Sequence, residues 1–476
     1  MSRILLEGGA EVFETVNPAT GEVVQRYDPH DGATLELKLA RAWTRWQDDW
    51  QHRRLDQRLE VLDNAAKILD DRRDELARLI TTEMGKPITA ARAEVAKCAR
   101  LCRHYVEHSA AYLEQEVIAT EADRSYVRFD PLGPILAIMP WNFPFFQVFR
   151  FAVPNLAAGN VGLLKHAAST TGCGLAVEEL LTDAGLPEGG FTALLVGHDT
   201  AAEIIADRRI RGVTLTGSDR AGRAVAATAG RHLKKTVLEL GGTDPCIVLD
   251  DADLDEAART AVRSRYLNSG QSCINAKRMI VLREVYEDFV ERFLAEVQAL
   301  VIGDPMDTDT DIGPLARADL RDTVHDQVQR TLHHKEGGKL LLGGQPLDRP
   351  GFFYAPTVIR DVNAQAPAAA EEVFGPVAAL MDAENEQIAV ALANSSRYGL
   401  GAAVWTTDLE RGERIAQRIE SGMVFVNELV KSDPRLPFGG VKDSGHGREL
   451  ARQGLHEFTN VKTVWVHAKP AGDTVR

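Results

Sequence analysis

The chain has 476 residues, of which 44% are hydrophobic and 26% charged, and its formal net charge at pH 7 is −14. This length allows two or three domains with an ample apolar core. The acidic balance argues against non-specific binding to nucleic acid or to anionic membranes, and no apolar run reaches the roughly 18–20 residues of a transmembrane helix.

The first part of the chain is predicted to be mostly helical. Strand-like fragments occupy residues 11–27, and apolar residues then recur at three- and four-residue steps from Asp31 to about Leu113. The run 84–87 (MGKP) interrupts this pattern, and Pro87 begins the next helix.

A different pattern starts after a short strand at 126–129. Continuous apolar runs, which are typical of strands buried on both faces, alternate with helical stretches. The predicted strands are 135–139, 161–165, 191–196 and 212–216, and the predicted helices are 171–184, 201–206 and 221–229. This alternation predicts an α/β fold with a doubly wound parallel sheet.

Two further strands, 236–240 and 245–249, flank a Gly-Gly turn, and a second α/β region follows from residue 251 to about residue 441. Apolar and polar residues alternate in the C-terminal segment 457–467. This alternation predicts a strand that pairs outside its own domain.

The N-terminus and the cysteines bear on location. The first residues lack the long apolar core of a signal peptide. The five cysteines are odd in number and follow no pattern, so we expect free thiols in the cytoplasm rather than disulfides. Cys98 and Cys102 share a predicted helical face, but no further ligands stand at a suitable spacing. We therefore expect buried thiols there and no metal site.

Cys273 is the first candidate for catalysis. It lies in the run 267–275 (LNSGQSCIN), whose polar and glycine residues predict a loop rather than a core strand. A cysteine on such a loop is placed to react, although a loop cysteine taken alone is more often structural. The chain has no G-x-S-x-G elbow for a Ser-His-Asp site, and none of its 13 histidines stands in a motif that predicts a Cys-His site.

Two other runs carry the base and the oxyanion donor that an attack on a carbonyl needs. Glu239 ends an apolar strand in LELGG, where burial would raise its pKa towards that of a general base. A salt bridge is the alternative for Glu239. Asn142 lies in PWNFPF, where two prolines stiffen the loop, and a simple turn residue is its alternative.

A dinucleotide site is indicated at the ends of two predicted strands. Gly217 and Ser218 precede a helix whose N-terminal N–H groups can bind a pyrophosphate. Lys165 ends a buried strand and suits a ribose or phosphate contact, with a snorkelling surface lysine as the alternative. The G-x-x-x-x-G spacing from Gly217 to Gly222 is a weaker signal than the dinucleotide fingerprint.

Nearly the whole chain resembles the NAD(P)-dependent aldehyde dehydrogenase superfamily. The resemblance is carried, in the family's order and spacing, by PWNFPF, LLKHA, TLTGSDRAG, LELGG, NSGQSC, EEVFGPV and LPFGGVKDSGHGRE. The runs that resemble its succinate-semialdehyde branch are EMGKPITAARAEVAKC, LLKHA and VKSDPRLPFGGVK.

The resemblance implies a mechanism that agrees with the candidate residues. Cys273 as thiolate attacks the aldehyde carbon, and the Asn142 amide and the Cys273 N–H bind the oxyanion. Hydride passes to the nicotinamide, and Glu239 activates the water that hydrolyses the thioester. The cofactor-binding residues that the resemblance implies are Lys165, Gly217, Ser218, Glu372 and Phe374, with Pro140 and Trp141 flanking the same cleft.

Two departures from the family bear on specificity. His166 and Ala168 stand where many members have a proline and a ribose-binding glutamate. We therefore expect both NAD and NADP to work, with a preference for NADP because Lys165 and His166 could meet its 2′-phosphate. Leu267 stands where some semialdehyde-specific members have an arginine, so the substrate carboxylate must be bound elsewhere.

Arg150 and Ser432 are the residues that the resemblance offers for that carboxylate. Arg150 lies eight residues after Asn142, and a helix opening between them would turn both side chains towards the substrate. The alternative is that Arg150 pairs with a structural carboxylate.

We expect a dinucleotide-binding domain (1–116 and 132–241), a catalytic domain (242–441) and a small β oligomerisation element (117–131 and 455–469). The family is usually dimeric or tetrameric, so a homodimer or homotetramer is expected. The expected substrate is succinate semialdehyde, with a general aliphatic aldehyde dehydrogenase as the alternative. The intact candidate triad argues against two rivals, a catalytically silent protein of this fold and a CoA-acylating enzyme.

Overall fold

The first part of the chain is helical, as predicted. The computed structural model describes residues 4–7, 10–335 and 337–467. A three-stranded sheet of β1 (Ile4–Glu7), β2 (Ala10–Val16) and β3 (Val23–Tyr27) precedes α1 (Gly32–Asp48), α2 (Leu55–Asp71), α3 (Arg73–Met84) and α4 (Ile88–Tyr112). Asp31 caps α1 by accepting a hydrogen bond from the N–H of Thr34 at 2.7 Å. Gly85, at φ 79°, ends α3.

A six-stranded sheet follows. Its parallel strands are β6 (Pro134–Met139), β7 (Val161–His166), β8 (Phe191–Ala193), β9 (Gly212–Thr216) and β10 (Lys235–Glu239), and β20 (Gly445–His446) adds an antiparallel edge. The strand order is β20-β10-β9-β6-β7-β8. Its helices are α5 (Phe146–Ala158), α6 (Thr171–Asp183), α7 (His198–Ala206) and α8 (Asp219–Arg231). The predicted doubly wound α/β pattern is confirmed.

A seven-stranded sheet forms the second α/β unit, in the order β13-β14-β15-β12-β11-β17-β18. Its strands are β11 (Pro245–Val248), β12 (Arg278–Leu282), β13 (Lys339–Leu342), β14 (Thr357–Arg360), β15 (Val377–Ala383), β17 (Gly401–Trp405) and β18 (Met423–Val426). Its helices are α9 (Leu254–Tyr266), α10 (Tyr286–Gln298), α11 (Ala318–His333), α12 (Pro367–Ala370), α13 (Glu386–Asn394) and α14 (Leu409–Ala416). Every pairing is parallel except that of β13 with β14.

A third, antiparallel sheet joins distant parts of the chain. The remaining elements are β4 (Glu116–Val117), β5 (Arg124–Pro131), β16 (Tyr398–Gly399), β19 (Val441–Lys442), α15 (Ala451–His456) and β21 (Thr459–Val466). The order of this sheet is β21-β5-β4. The predicted C-terminal strand pairs with β5 over its full length, from Thr459 opposite Pro131 to Val466 opposite Arg124.

Two further sequence expectations concern the cysteines and membrane spans. Cys98 and Cys102 are buried free thiols, as predicted, and Cys173 and Cys246 are buried and free as well. Among the described residues, no helix is long and apolar enough to cross a membrane.

Candidate active site

The loop that carries Cys273 runs from α9 towards β12 in a strained conformation. Asn268, Ser269 and Gly270 all have left-handed backbone angles, with φ of 56°, 54° and 75°. A Cβ atom at Gly270 would lie 2.2 Å from the carbonyl oxygen of Gly375, so only glycine allows this close approach. The loop is therefore held against the segment that leads into β15.

Two buried cations fix the loop through its carbonyl groups. The Lys277 ammonium donates to the carbonyl oxygens of Ser272 at 2.9 Å and Cys273 at 2.7 Å. The Arg265 guanidinium donates to the carbonyl oxygen of Gly270 at 3.3 Å. These bonds satisfy buried carbonyl groups that the irregular backbone leaves without partners.

Residue Cys273 is intermediate in exposure, but its thiol group is surrounded mostly by protein atoms. Burial raises the pKa of this thiol to about 12, although Arg150 and Lys277 act to lower it. The thiol is therefore protonated at neutral pH in this state, and its proton must leave before it attacks a carbonyl.

Asn142 follows β6, and both ends of its side-chain amide are bound. Its Nδ2 donates to the carbonyl oxygen of Gln271 at 3.1 Å, two residues before the nucleophile. Its Oδ1 accepts from Nε2 of Gln147 at 3.2 Å. This second bond turns the amide N–H groups towards the Cys273 loop, and the side chain is only 3% exposed. Such a preorganised donor can stabilise an oxyanion.

A buried ion pair behind Asn142 holds its backbone. The Lys86 ammonium pairs with Glu94, donates to the carbonyl oxygen of Asn142 at 2.9 Å and lies 3.7 Å from the centre of the Phe143 ring. Glu94 accepts in turn from the N–H groups at the start of α5. Sequence reasoning did not single out this pair. The available signal was a lysine between glycine and proline, where two helices meet.

Glu239 is the last residue of β10 and is 2% exposed. Neither of its carboxyl oxygens has a hydrogen-bond partner among the described residues. Burial and the nearby Glu449 raise its pKa well above the usual range, while Arg150 and Arg448 act to lower it. A Cβ atom at Gly439, where φ is 154°, would lie 2.7 Å from Oε1 of Glu239. The predicted rise in pKa is confirmed, and the carboxyl group keeps its acceptor sites for a water molecule.

Arg150 lies on α5 and is 3% exposed. It forms an ion pair with the buried Glu449, and its guanidinium lies 4.3 Å from the centre of the Phe438 ring. The expectation of an arginine available to the substrate is therefore corrected, because an internal carboxylate already neutralises its charge. Pairing with a structural carboxylate was the alternative.

Ser432 lies in the loop between β18 and β19. Its hydroxyl accepts a hydrogen bond from the ammonium of Lys97, a residue of α4 that sequence reasoning missed. The signal available for Lys97 was a lone lysine on a helix whose neighbouring residues are mostly apolar.

The predicted cofactor residues line the ends of β6, β7 and β9. The ring of Trp141 meets that of Phe374 edge to face, with centroids 5.6 Å apart. Glu372 accepts from the N–H of Gly242 at 3.0 Å and lies 3.5 Å from Lys277. Pro140, next to Trp141, is partly exposed.

The comparisons with known proteins agree with this geometry. The aldehyde dehydrogenase family model matches residues 6–464. The chain belongs to the aldehyde dehydrogenase family. A probable NADP(+) succinate-semialdehyde dehydrogenase of Synechocystis is 51% identical over 452 residues, 95% of this chain and 99% of the relative. The succinate semialdehyde dehydrogenase [NAD(P)+] Sad of Escherichia coli is 48% identical over 453 residues, 95% and 97% of the two chains.

A solved aldehyde dehydrogenase structure gives the same result. The succinic semialdehyde dehydrogenase of Streptococcus pyogenes, in complex with NADP+, superposes with a TM-score of 0.93 at 38% identity, covering 96% of this chain and 100% of that one. The protein is thus an NAD(P)-dependent oxidoreductase with the aldehyde dehydrogenase fold.

The dinucleotide of an aldehyde dehydrogenase fits the strand ends seen here. Ser218 caps α8 by accepting from the N–H of Ala221 at 3.3 Å. A Cβ atom at Gly217 would meet only Leu215, at 3.6 Å, so the space before the helix N-terminus is open to a pyrophosphate.

His166 needs a correction as a contact for the 2′-phosphate. Its ring nitrogens are 3.0 Å from the carbonyl oxygen of Pro144 and 2.9 Å from the hydroxyl of Thr170. Burial lowers its pKa to about 4. The ring is therefore neutral at physiological pH, and both nitrogens are engaged within the fold. Lys165, 6% exposed, remains the cation at the end of β7.

No metal-binding group of three or more His, Cys, Asp or Glu side chains occurs in the ranges 4–7, 10–335 and 337–467.

Proposed function

We propose that the protein oxidises succinate semialdehyde to succinate with NAD(P)+, using Cys273 as nucleophile. The observation that carries the proposal is a set of three groups from different elements. These are the thiol of Cys273, the oriented amide of Asn142 and the unpartnered carboxyl group of Glu239. Asn142 donates a hydrogen bond to the Cys273 loop, and Arg150 acts electrostatically on both Cys273 and Glu239. They are the nucleophile, oxyanion donor and base of acyl transfer through a thioester.

In the first half-reaction the Cys273 thiol loses its proton to water, and the resulting thiolate forms a bond with the aldehyde carbon. The carbonyl oxygen becomes an oxyanion, which accepts hydrogen bonds from Nδ2 of Asn142 and from the backbone N–H of Cys273. Gln147 keeps the amide in its donating orientation. A bound nicotinamide supplies the acceptor for the hydride that leaves the same carbon, and a thioester on Cys273 remains.

The second half-reaction hydrolyses that thioester. Glu239 acts as the base that takes a proton from the attacking water, which requires its ionised form. Burial disfavours that form, so we expect the rate of acid release to rise with pH until Glu239 is ionised. This base also separates the proposal from a CoA-acylating enzyme, in which CoA resolves the thioester.

We propose that both NAD and NADP serve, with a preference for NADP. Ala168 carries no carboxylate that would repel a 2′-phosphate, and the buried Lys165 lies near the end of β7, three residues before Ala168. The Synechocystis relative is named for NADP(+) and the Escherichia coli relative for NAD(P)+.

The choice of succinate semialdehyde rests on the relatives and on two cations, Arg150 and Lys97. Relatives named for this substrate are 45–51% identical over nearly the whole chain. Arg150 acts on the Cys273 thiol electrostatically, and Ser432 shares a hydrogen bond with a lysine. A general aliphatic aldehyde dehydrogenase remains the second candidate, because Glu449 neutralises Arg150.

We also propose that the enzyme is a cytoplasmic homodimer or homotetramer. Its five free cysteines favour a reducing compartment. The predicted oligomerisation element (117–131 and 455–469) contains β5 and β21 of the third sheet and would serve assembly; its positions 468 and 469 lie outside the described residues. Segments 1–116 and 132–241 would bind the cofactor, and segment 242–441 would carry the thiol loop.

The deciding assay follows NAD(P)H absorbance without added CoA. Succinate semialdehyde and butanal have the same chain length and differ in the terminal carboxylate. We expect kcat/KM for succinate semialdehyde to exceed that for butanal by at least about a hundredfold, the effect of one buried charge contact. Equal values would favour the general aliphatic enzyme, and activity only with CoA would favour the acylating one.

A further inference from the structure

Two cations, Arg150 and Lys97, differ in how their charge is balanced. Arg150 is paired with Glu449, and both side chains are buried. Lys97 has no carboxylate within ion-pair distance in the described part of the chain, although most of its surroundings are protein. Its ammonium contacts the hydroxyl of Ser432 and lies 4.0 Å from the centre of the Phe146 ring. Of these two cations, Lys97 therefore carries the positive charge that no carboxylate compensates.

Lys97 stands on the same wall of the site as Arg150. Phe146, which its ammonium contacts, lies one helical turn before Arg150 on α5. Arg150 is close enough to lower the pKa values of both Lys97 and Cys273. Arg150 therefore lies within electrostatic reach of both the nucleophile and Lys97, and the loop that carries Ser432 contacts Lys97.

Holding this charge is costly for the fold. A largely buried ammonium loses hydration that a hydroxyl and a ring face replace only in part. The titratable groups that act electrostatically on the pKa of Lys97 are Arg150 on α5 and Arg100, Cys98 and Glu94 on its own helix. Glu94 is already engaged by Lys86. An anion from outside the chain would balance the charge.

We infer that Lys97 is the specificity-determining cation that binds the terminal carboxylate of the substrate, with the Ser432 hydroxyl as its partner. The inference rests on the proposed function and deepens it. The ligand is an aldehyde with an ionised carboxylate at the far end of a short chain. A lysine from α4 thereby replaces the arginine absent at Leu267, and Ser432 can donate to the carboxylate while it accepts from Lys97.

The test compares Lys97→Met with wild type on succinate semialdehyde and butanal. Methionine keeps much of the length and removes the charge. We expect kcat/KM for succinate semialdehyde to fall about a hundredfold, mainly through KM, and that for butanal to fall less than about fivefold. Lys431→Met is the matched control. Lys431 is on the same loop as Ser432, but it is half-exposed and paired with Glu428 at 2.5 Å. The ratio of kcat/KM for the two substrates should therefore stay within about twofold of wild type.

A pH profile distinguishes a Lys97 that binds the substrate carboxylate from a Lys97 that only holds the loop of Ser432 in place. Burial and Arg150 lower the pKa of Lys97 to about 8. The carboxylate needs the charged form, so the preference for succinate semialdehyde over butanal should be constant below pH 8 and fall about tenfold per unit above it. Because the titration of Cys273 and Glu239 affects both substrates alike, it cancels in the ratio of the two kcat/KM values. In Lys97→Arg, the preference should persist to higher pH because a guanidinium stays charged.

The outcomes distinguish this inference from the proposed function. If wild type does not prefer succinate semialdehyde, the proposed function fails. If wild type has the preference but Lys97→Met lowers kcat/KM equally for both substrates, Lys97 only holds the loop of Ser432 in place and the inference is wrong. A preference in Lys97→Arg that falls with pH as in wild type would also overturn it. Should Lys97→Met fail to fold, Lys97→Arg and the wild-type profile still decide.

Discussion

The pKa of the Cys273 thiol depends on Lys277, four residues further along the chain, and on Arg150, which is distant in sequence; both only partly offset the effect of burial. Cys273 is also the one cysteine of the five that is not buried. Cys273→Ala should reduce dehydrogenase turnover below about a thousandth of wild type, because the thiol forms the covalent bond. Cofactor binding, measured by fluorescence titration, should be nearly unchanged. Cys246→Ala is the control and should keep most activity; retained turnover in Cys273→Ala would exclude the assignment.

Glu239 is expected to act mainly after hydride transfer. Glu239→Gln keeps the shape of the side chain but cannot take a proton from water. Stopped-flow absorbance should therefore show a burst of NAD(P)H followed by a slow steady state. Loss of the burst, with the fold intact by circular dichroism, would mean that Glu239 also takes the thiol proton.

Ala168 is expected to set the cofactor preference. A 2′-phosphate carries roughly −1.5 to −2 charges near neutrality, and a carboxylate at this position would repel it. Ala168→Glu should lower kcat/KM for NADP at least about tenfold while that for NAD changes little. Steady-state kinetics with each cofactor decide. Use of NADP by wild type at under about one per cent of its NAD efficiency would contradict this view of the site.

The candidate residues were predictable where chemistry alone selects them. A cysteine in a polar loop and an acid at a strand end are conspicuous in sequence. Lys86, Glu94 and Gln147 were not predicted, because their role is to hold Asn142 and depends on contacts across up to 56 positions. His166 was assigned wrongly because sequence does not show which way a ring points.

At the scale of elements, the buried pair of Arg150 and Glu449 ties α5 to the chain just before α15. Removing one partner leaves an unpaired buried charge and should cost about 3–5 kcal/mol of the free energy of unfolding. The double variant Arg150→Met with Glu449→Gln should lose less than the sum of the two singles. Urea unfolding measures all three. Additive losses would mean that the pair is not coupled, and Arg414→Met, at an exposed pair, is the control.

Elements with a periodic or continuously apolar signal were predictable, and others were not. The strands that became β6, β7 and β9 have the residues expected of strands buried on both faces. The predicted strand 191–196 shortens to β8, three residues long. Helix α5 was not predicted outright, because all thirteen of its residues are buried and it contains Pro154, so it lacks an amphipathic pattern. The two-residue β20 exists only because it pairs with Leu238 and Glu239.

At the scale of the whole molecule, the site forms between sheets. Asn142 and Glu239 come from the six-stranded sheet, and Cys273 comes from the loop that leads into the seven-stranded one. Each sheet was predictable from local patterns, whereas their junction was not, since it depends on packing between residues far apart in the chain. The same holds for Lys97 and Ser432, which are 335 positions apart.

We expect the subunits to associate through the third sheet. Val461 and Trp465 lie on one face of β21 and are 62% and 45% exposed. We expect wild type to be a dimer or tetramer that covers these apolar side chains. Val461→Asp places a charge within that interface and should shift the mass towards the monomer in sedimentation experiments. The fold should persist, because β21 keeps its pairing with β5. Leu233→Asp, at a 94% exposed site outside this sheet, should leave the assembly unchanged. A monomeric wild type, or a Val461→Asp variant of unchanged mass, would show that this sheet does not mediate assembly.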